Sequence, residues 1–317
     1  MGSPGAGASG GRASPPSGHG STRTLDGDGP PLIDSRRASR PGAPTKEERV
    51  RIGYVQFEPR LGAVEENRAA VRELLLEAPE AELLVLPELA SSGYHFATRA
   101  DAWECSETAD GAFTASLTEA ARKRNCTYVA GLCEREGDQL WNSAVVVGPT
   151  GRIGLYRKAH LFLNERDLFE PGNLGLPVFD LGTCRLGVLI CFDWQFPEAW
   201  RVLALGGAEV VAHPSNLVIP GRCQRVVPLH ALSNRLFVVT ANRVGEERGL
   251  RFTGRSQIND PRGETLSEGS AEGTEIAVVD IDLNLARDKQ VTARNDLLAD
   301  RRPELYGAIT RSSGSSQ

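Results

Sequence analysis

The stretch CRLGVLICFDWQFPEAWRVLALGGAEVVAHPSN (184–216) decides the architecture. CRLGVLICF (184–192) is a short apolar run, the mark of a buried strand. FPEAWRVLALGGA (196–208) reads as a helix closed by a double glycine. EVVAHPSN (209–216) is apolar again. A helix at about 224–235 and the apolar LFVVTANRV (236–244) repeat the same β–α–β rhythm.

The rhythm extends toward the N-terminus. RIGYVQF (51–57) is a strand, VEENRAAVRELLLEA (64–78) a helix with Val64, Ala70, Val71, Leu74 and Leu75 at roughly helical spacing, and ELLVLPEL (82–89) a short buried strand. FTASLTEAARKRN (113–125) predicts a helix and CTYVAGLCERE (126–136) a strand. WNSAVVVGPTGRIGLYRKAHL (141–161) reads as a hairpin turning at Gly-Pro-Thr-Gly. Two late strands, GRSQIND (254–260) and EIAVVDIDL (275–283), are expected to be joined by a Gly-rich turn. Alternating strands and helices with hairpins mixed in predict an α/β domain whose helices cover the sheet faces. No internal repeat is visible by eye.

Residues 1–47 differ in composition. MGSPGAGASGGRASPPSGHGSTRT is rich in Gly, Ser and Pro, too poor in apolar area to offset its ordering entropy, and is expected to be a disordered tail. The expected domain runs over 48–317, with about 284–317 a polar, Arg/Asp-rich extension that has little core of its own.

Charge and cysteine usage exclude several classes. The net charge of −5 argues against a general polyanion binder, so no nucleic-acid partner is expected. No apolar run approaches the ~20 residues that span a bilayer, and no signal-type apolar segment is present. A cytoplasmic protein with no membrane partner is expected. The six cysteines include no CxxC pair, and no His/Cys cluster has zinc-site spacing. Reduced thiols, no metal and no cofactor are expected.

The chain has no G-x-S-x-G elbow, no phosphate loop and no dinucleotide fingerprint. What remains is a set of reactive groups at the ends of apolar strands: Glu88 after LLVLP, Lys158 after GLYR and Cys191 after VLI. Ligands of α/β sheets bind near the carboxyl ends of strands, so three such ends can converge on one pocket. Each residue also has a plain reading. Cys191 reads as a small buried hydrophobe, Glu88 as a surface residue or helix cap, and Lys158, beside Arg157, as a solvated charge.

Taken together, PELASSGY (87–94), YRKAHLF (156–162) and CFDWQFPE (191–198) resemble the three catalytic blocks of the nitrilase superfamily, carbon–nitrogen hydrolases with a Glu-Lys-Cys triad. FEPGN (169–173), GAEVVAHPSN (207–216) and NRVGEERGLRFTGRSQINDPRGE (242–264) extend the resemblance over about 51–306. The chain is similar to the short archaeal-type nitrilases and the bacterial aliphatic amidases.

The resemblance implies a four-layer α-β-β-α sandwich, a homodimer or higher homo-oligomer, and a small-molecule amide or nitrile substrate. It implies Cys191 as nucleophile, Glu88 as general base, Lys158 as the positive charge facing the oxyanion, and the backbone N–H of Phe192 as a second donor. Glu165 is implied as a second glutamate that orients substrate or lysine, with Glu170 its competitor. Tyr94, Trp194 and Asn216 fall at positions that line the pocket in similar proteins.

These residue types suit thiol chemistry. A free thiol titrates near pH 8.5 and needs a base at neutrality. A fixed donor at the developing oxyanion is worth about 3 kcal/mol of barrier. The expected reaction is hydrolysis of a small amide through a Cys191 thioester. Nitrile hydrolysis and N-carbamoyl hydrolysis are the alternatives, since Cys-Phe-Asp occurs in amidase-like, carbamoylase-like and archaeal-type nitrilase sequences. A catalytically silent interaction module is the reading from another class.

Overall fold

In Arg49–Gln56 (β1) alternate side chains turn to opposite faces, and both faces are buried. Val50, Ile52 and Tyr54 join one apolar cluster, while Val55 joins another. The same division holds in Leu83–Val85 (β2), Thr127–Glu136 (β3) and Gln139–Gly148 (β4): Leu83, Val85, Val129, Ala144 and Val146 face one way, and Leu84, Tyr128, Ala130, Val145 and Val147 the other. A sheet apolar on both faces needs a layer on each. The computed structural model supplies them; it describes residues 1–2 and 48–311, and residues 48–311 belong to one unit. The predicted tail lies almost wholly outside the described residues, as do residues 312–317 of the predicted extension.

One outer layer is formed by Val64–Glu77 (α1) and Ala112–Arg124 (α3), with the short Arg99–Glu104 (α2) between them in sequence. Phe113, Leu117, Ala120 and Ala121 form the buried stripe of α3. Thr98 starts α2 through a reciprocal capping box with Asp101. Gly151–Arg157 (β5) is the fifth strand of the first sheet and one of its edges.

The second sheet contains Val178–Asp180 (β6), Arg185–Val188 (β7), Val210–Ser215 (β8) and Phe237–Asn242 (β9). The small hairpin Glu246–Glu247 (β10) and Leu250–Arg251 (β11) intervenes before Gln257–Asn259 (β12) and Thr265–Glu268 (β13) complete it. Between β5 and β6 lies the one-turn helix Glu165–Leu168 (α4). Pro197–Leu205 (α5) and Arg222–Asn234 (α6) cover the outer face. Glu275–Asp282 (β14) returns to the first sheet.

The sheet orders are β14-β1-β2-β3-β4-β5 and β13-β12-β9-β8-β7-β6. Read from β14 and from β6, both sheets run antiparallel, parallel, parallel, antiparallel, antiparallel. The two halves thus share one plan with no sequence repeat to announce it. The result is the expected α-β-β-α sandwich.

Three details differ from the sequence reading. Strand 82–89 ends at Val85, because Pro87 cannot donate to the ladder and Glu88–Ala90 form a turn. Strand 184–192 ends at Val188, and Cys191–Gln195 is a 3₁₀ turn. The late strands are not partners: β12 pairs with β9 and β13, while EIAVVDIDL pairs with β1 some 230 residues away, Val50 opposite Ile281.

Candidate active site

Glu88 sits on the turn after β2, and Leu89 beside it has φ 48°. The turn presses on β3, where Gly131 N donates to Pro87 O at 3.0 Å. Lys158 follows β5, its N–H extending the ladder to Asn142 O at 2.8 Å. Because side chains alternate, Arg157 and Lys158 point to opposite faces. Arg157 stacks 3.6 Å from the centroid of Trp141 and pairs with Glu134 at 2.5 Å. Both cations are buried, neither a solvated charge.

Lys158 Nζ lies 2.6 Å from Glu88 Oε1 and 2.7 Å from Glu165 Oε1. Asn142 Nδ2 donates to Glu88 Oε1 at 2.7 Å, and the Tyr94 hydroxyl donates to Glu165 Oε1 at 2.8 Å. Glu165 Oε2 accepts from Phe162 N at 3.1 Å. Glu88 Oε2 is buried and has no hydrogen-bond partner. Glu170 stands elsewhere, half exposed and 3.5 Å from Arg99.

The electrostatics follow from burial and this pairing. Burial alone would lower the Lys158 ammonium, but Glu165 and Glu88 outweigh it and hold the pKa above its ordinary value. Burial pushes Glu165 up to about 7, against the opposing pull of Lys158 and with a further push from Glu88. Burial and the nearby Glu88 raise the Cys191 thiol well above its ordinary range, while Lys158 pulls it down. The thiol is therefore protonated at neutral pH.

Cys191 itself has φ 43°, a left-handed conformation that costs a non-glycine residue about 1 kcal/mol. Two buried groups hold the strained turn. Asp193 accepts from Ile190 N at 2.9 Å, Tyr156 OH at 2.8 Å, His160 N at 3.0 Å and lies 2.7 Å from His160 Nδ1. It thereby ties the cysteine turn to the residues flanking Lys158. His213 Nε2 lies 2.9 Å from the Cys191 carbonyl oxygen and Nδ1 3.0 Å from Thr240 Oγ1. Burial lowers His213 to about 4, so the neutral ring donates through Nε2 and accepts the Thr240 hydroxyl at Nδ1.

A cavity of about 300 Å³ opens against Cys191 and is bounded by Phe192, Trp194 and Asn216, among others. Of the three residues expected to line the pocket, Trp194 and Asn216 do so, whereas Tyr94 is engaged with Glu165. Asn216 is 2% exposed with both side-chain polar atoms unpartnered. Sequence reasoning missed Asn142, Tyr156, His160, Asp193 and His213. Asp193 carried a signal, an acid inside the CFD block; the others depend on cross-strand register. All six cysteines are free thiols. Among the described residues, no cluster of three His, Cys, Asp or Glu is placed to hold a metal, and no helix is long and apolar enough to cross a membrane.

Comparison with known proteins identifies the family. A curated nitrilase of Pyrococcus abyssi is 49% identical over 260 residues, covering 81% of this chain and 99% of that protein. An (R)-stereoselective amidase of a Pseudomonas species is 37% identical over 241 residues, covering 74% of this chain and 84% of the relative. Among solved structures, the amidase of Nesterenkonia sp. is 28% identical with a TM-score of 0.71, covering 84% of this chain and 99% of that one. The carbon-nitrogen hydrolase family profile matches residues 51–290. The chain is a member of the carbon–nitrogen hydrolases, the nitrilase superfamily, and a hydrolase.

Proposed function

We propose that the protein hydrolyses a small amide to a carboxylate and ammonia, with Cys191 as nucleophile. The observation that carries the reading is the unpartnered, buried Oε2 of Glu88 in a cluster electrostatically coupled to the Cys191 thiol. A thiol held above its ordinary pKa needs a base that takes its proton as it attacks. Glu88 takes that proton while sulfur bonds to the carbonyl carbon. Lys158 and the Phe192 N–H face the resulting oxyanion. The C–N bond then breaks, and Glu88 returns the proton to the departing ammonia. Water attacks the thioester, giving one proton to Glu88; the C–S bond breaks, Glu88 returns that proton to the sulfur, and the acid leaves and ionises to the carboxylate. Glu165 and Tyr94 hold Lys158 in line.

A solved amidase variant from Nesterenkonia sp. AN1 shows covalent addition of the acetamide moiety of fluoroacetamide at its active-site cysteine, which supports a thiol nucleophile in this fold. Nitrile hydrolysis is the second reading, favoured by the name of the 49%-identical relative. Ammonia release from matched amide and nitrile pairs separates the two. The amide reading expects kcat/KM for the amide to exceed that for the nitrile of equal chain length; the reverse order would replace it.

A homo-oligomer is also part of this reading. Val202, Leu205, Leu229 and Leu232 leave apolar surface exposed on α5 and α6, which supports pairing through that face. Sedimentation as a pure monomer at micromolar concentration would contradict it. Free thiols fit a cytoplasmic setting.

A further inference from the structure

The Cys191 cavity has a cationic rim that the reaction above does not use. Arg222, the first residue of α6, lines the cavity. It is exposed on its outer side, and its guanidinium makes no hydrogen bond or ion pair among the described residues. Its neighbour Arg225 is occupied, donating from Nε to Gly221 O at 3.0 Å. The first turn of α6 has no acidic residue, Gly221 supplies no side-chain cap, and no acidic side chain lines the cavity. A cation at a helix N-terminus opposes the helix dipole. Nothing within the fold therefore rewards Arg222 for standing there.

A second, independent observation points to a ligand. Asn216 is among the residues that line the same cavity, is nine-tenths buried, and leaves both the donor and the acceptor of its side chain without a partner. Buried amide groups are rarely left so, because each lost partner is costly. Apart from Gln195, the other walls of the cavity are largely apolar, with Leu217, Val218 and Ile219 among them. At ~30 Å³ for each water-sized group, the 300 Å³ cavity takes about ten non-hydrogen atoms.

We infer that the substrate is a short amide bearing a carboxylate at the end remote from the scissile C–N bond. Arg222 binds that carboxylate, the apolar walls take the connecting chain, and Asn216 binds the reacting amide group. Bidentate pairing with a carboxylate suits the planar guanidinium. The inference rests on the amide-hydrolase reading above.

The test compares ammonia release from succinamate and glutaramate with that from butanamide and pentanamide, using the full chain. The wild type is expected to favour the acidic amides by about tenfold or more in kcat/KM, mainly through KM. Arg222→Leu is expected to erase that ratio and Arg222→Lys to restore part of it. Because the readout is a ratio within each protein, a general loss of folded enzyme cancels. Raising the salt concentration is expected to shrink the preference, since the ion pair lies at the rim. A wild type indifferent to the carboxylate, or a preference that survives Arg222→Leu, overturns the subsite while leaving the hydrolase reading in place. Release of ammonia from none of the four amides overturns both.

Discussion

Gly131 lies directly against the turn that carries Glu88: a Cβ at position 131 would stand 2.5 Å from the Glu88 Cα. Real Cβ atoms do not approach backbone so closely, so Gly131→Ala must push the Glu88 turn away from β3. Over-packing of this kind costs about 1–3 kcal/mol. A displacement of the base by about 1 Å costs on the order of 10²-fold in rate. Gly131→Ala is expected to lower kcat by about that factor while its circular dichroism stays that of the wild type. A kcat near wild type would show that the turn has slack and that Gly131 does not position Glu88.

Lys158 stands between two buried carboxylates, Glu88 and Glu165, at 2.6 and 2.7 Å. Removing one partner of a buried pair leaves an uncompensated charge and costs about 3–5 kcal/mol. Lys158→Met is therefore expected to lose activity and stability together, seen as a lower urea midpoint with an unchanged slope. Adding Glu165→Gln to Lys158→Met removes one orphaned carboxylate, and is expected to recover part of the midpoint but no activity. A single variant as stable as the wild type would contradict the pairing.

Glu165, pushed up to about 7 chiefly by burial, makes stability depend on pH. Between its ordinary value of 4.5 and about 7 the folded state holds the extra proton. The stability slope with pH is then negative for this group: its contribution is fully present below about 4.5 and is lost as pH rises through about 7. Glu165→Gln is expected to flatten that fall, measured as urea midpoints at pH 5 and pH 7.5. An unchanged difference between the two pH values would show that Glu165 does not titrate there.

Asp193 accepts three N–H or O–H groups and faces His160 Nδ1. Asn in its place turns one acceptor into a donor and sets it against donors, which costs about 1–3 kcal/mol. Asp193→Asn is expected to lower the melting temperature and to reduce kcat more than it raises KM, because the Cys191 turn loses its tie to the Lys158 side. A variant with a lowered melting temperature but unaltered kcat would leave Asp193 a purely structural acid.

Much of the fold was legible because its parts are local. The α5 region shows a proline at its first position and a double glycine past its end, and the 141–161 hairpin turns where Gly-Pro-Thr-Gly predicts. Glu88, Lys158 and Cys191 were legible because each terminates an apolar run. What escaped depends on distance in sequence. β14 belongs beside β1 through a pairing that no local pattern encodes. Asn142 reaches Glu88 only because β4 pairs β3 with Asn142 opposite Cys133, across from the Glu88 turn. His213 reads as one polar residue in an apolar strand, and its bond to the Cys191 carbonyl exists only once β7 and β8 are parallel neighbours. Arg222 reads as one more charge near a helix start until the cavity beside it is seen.

The central claim is that Cys191 is the nucleophile, singled out from five other thiols by the nearby Lys158. It is tested most directly by incubating the Glu88→Gln protein with fluoroacetamide and mapping the acetamide adduct by peptide mass. Glu88→Gln removes the base that the acyl-transfer steps need, so the amide is not turned over and the sulfur facing Lys158 displaces fluoride, leaving a stable adduct. The account predicts an adduct on Cys191 and none on Cys105, Cys126, Cys133, Cys184 or Cys223. An adduct on one of those five, or labelling that persists after Cys191→Ala, would contradict it.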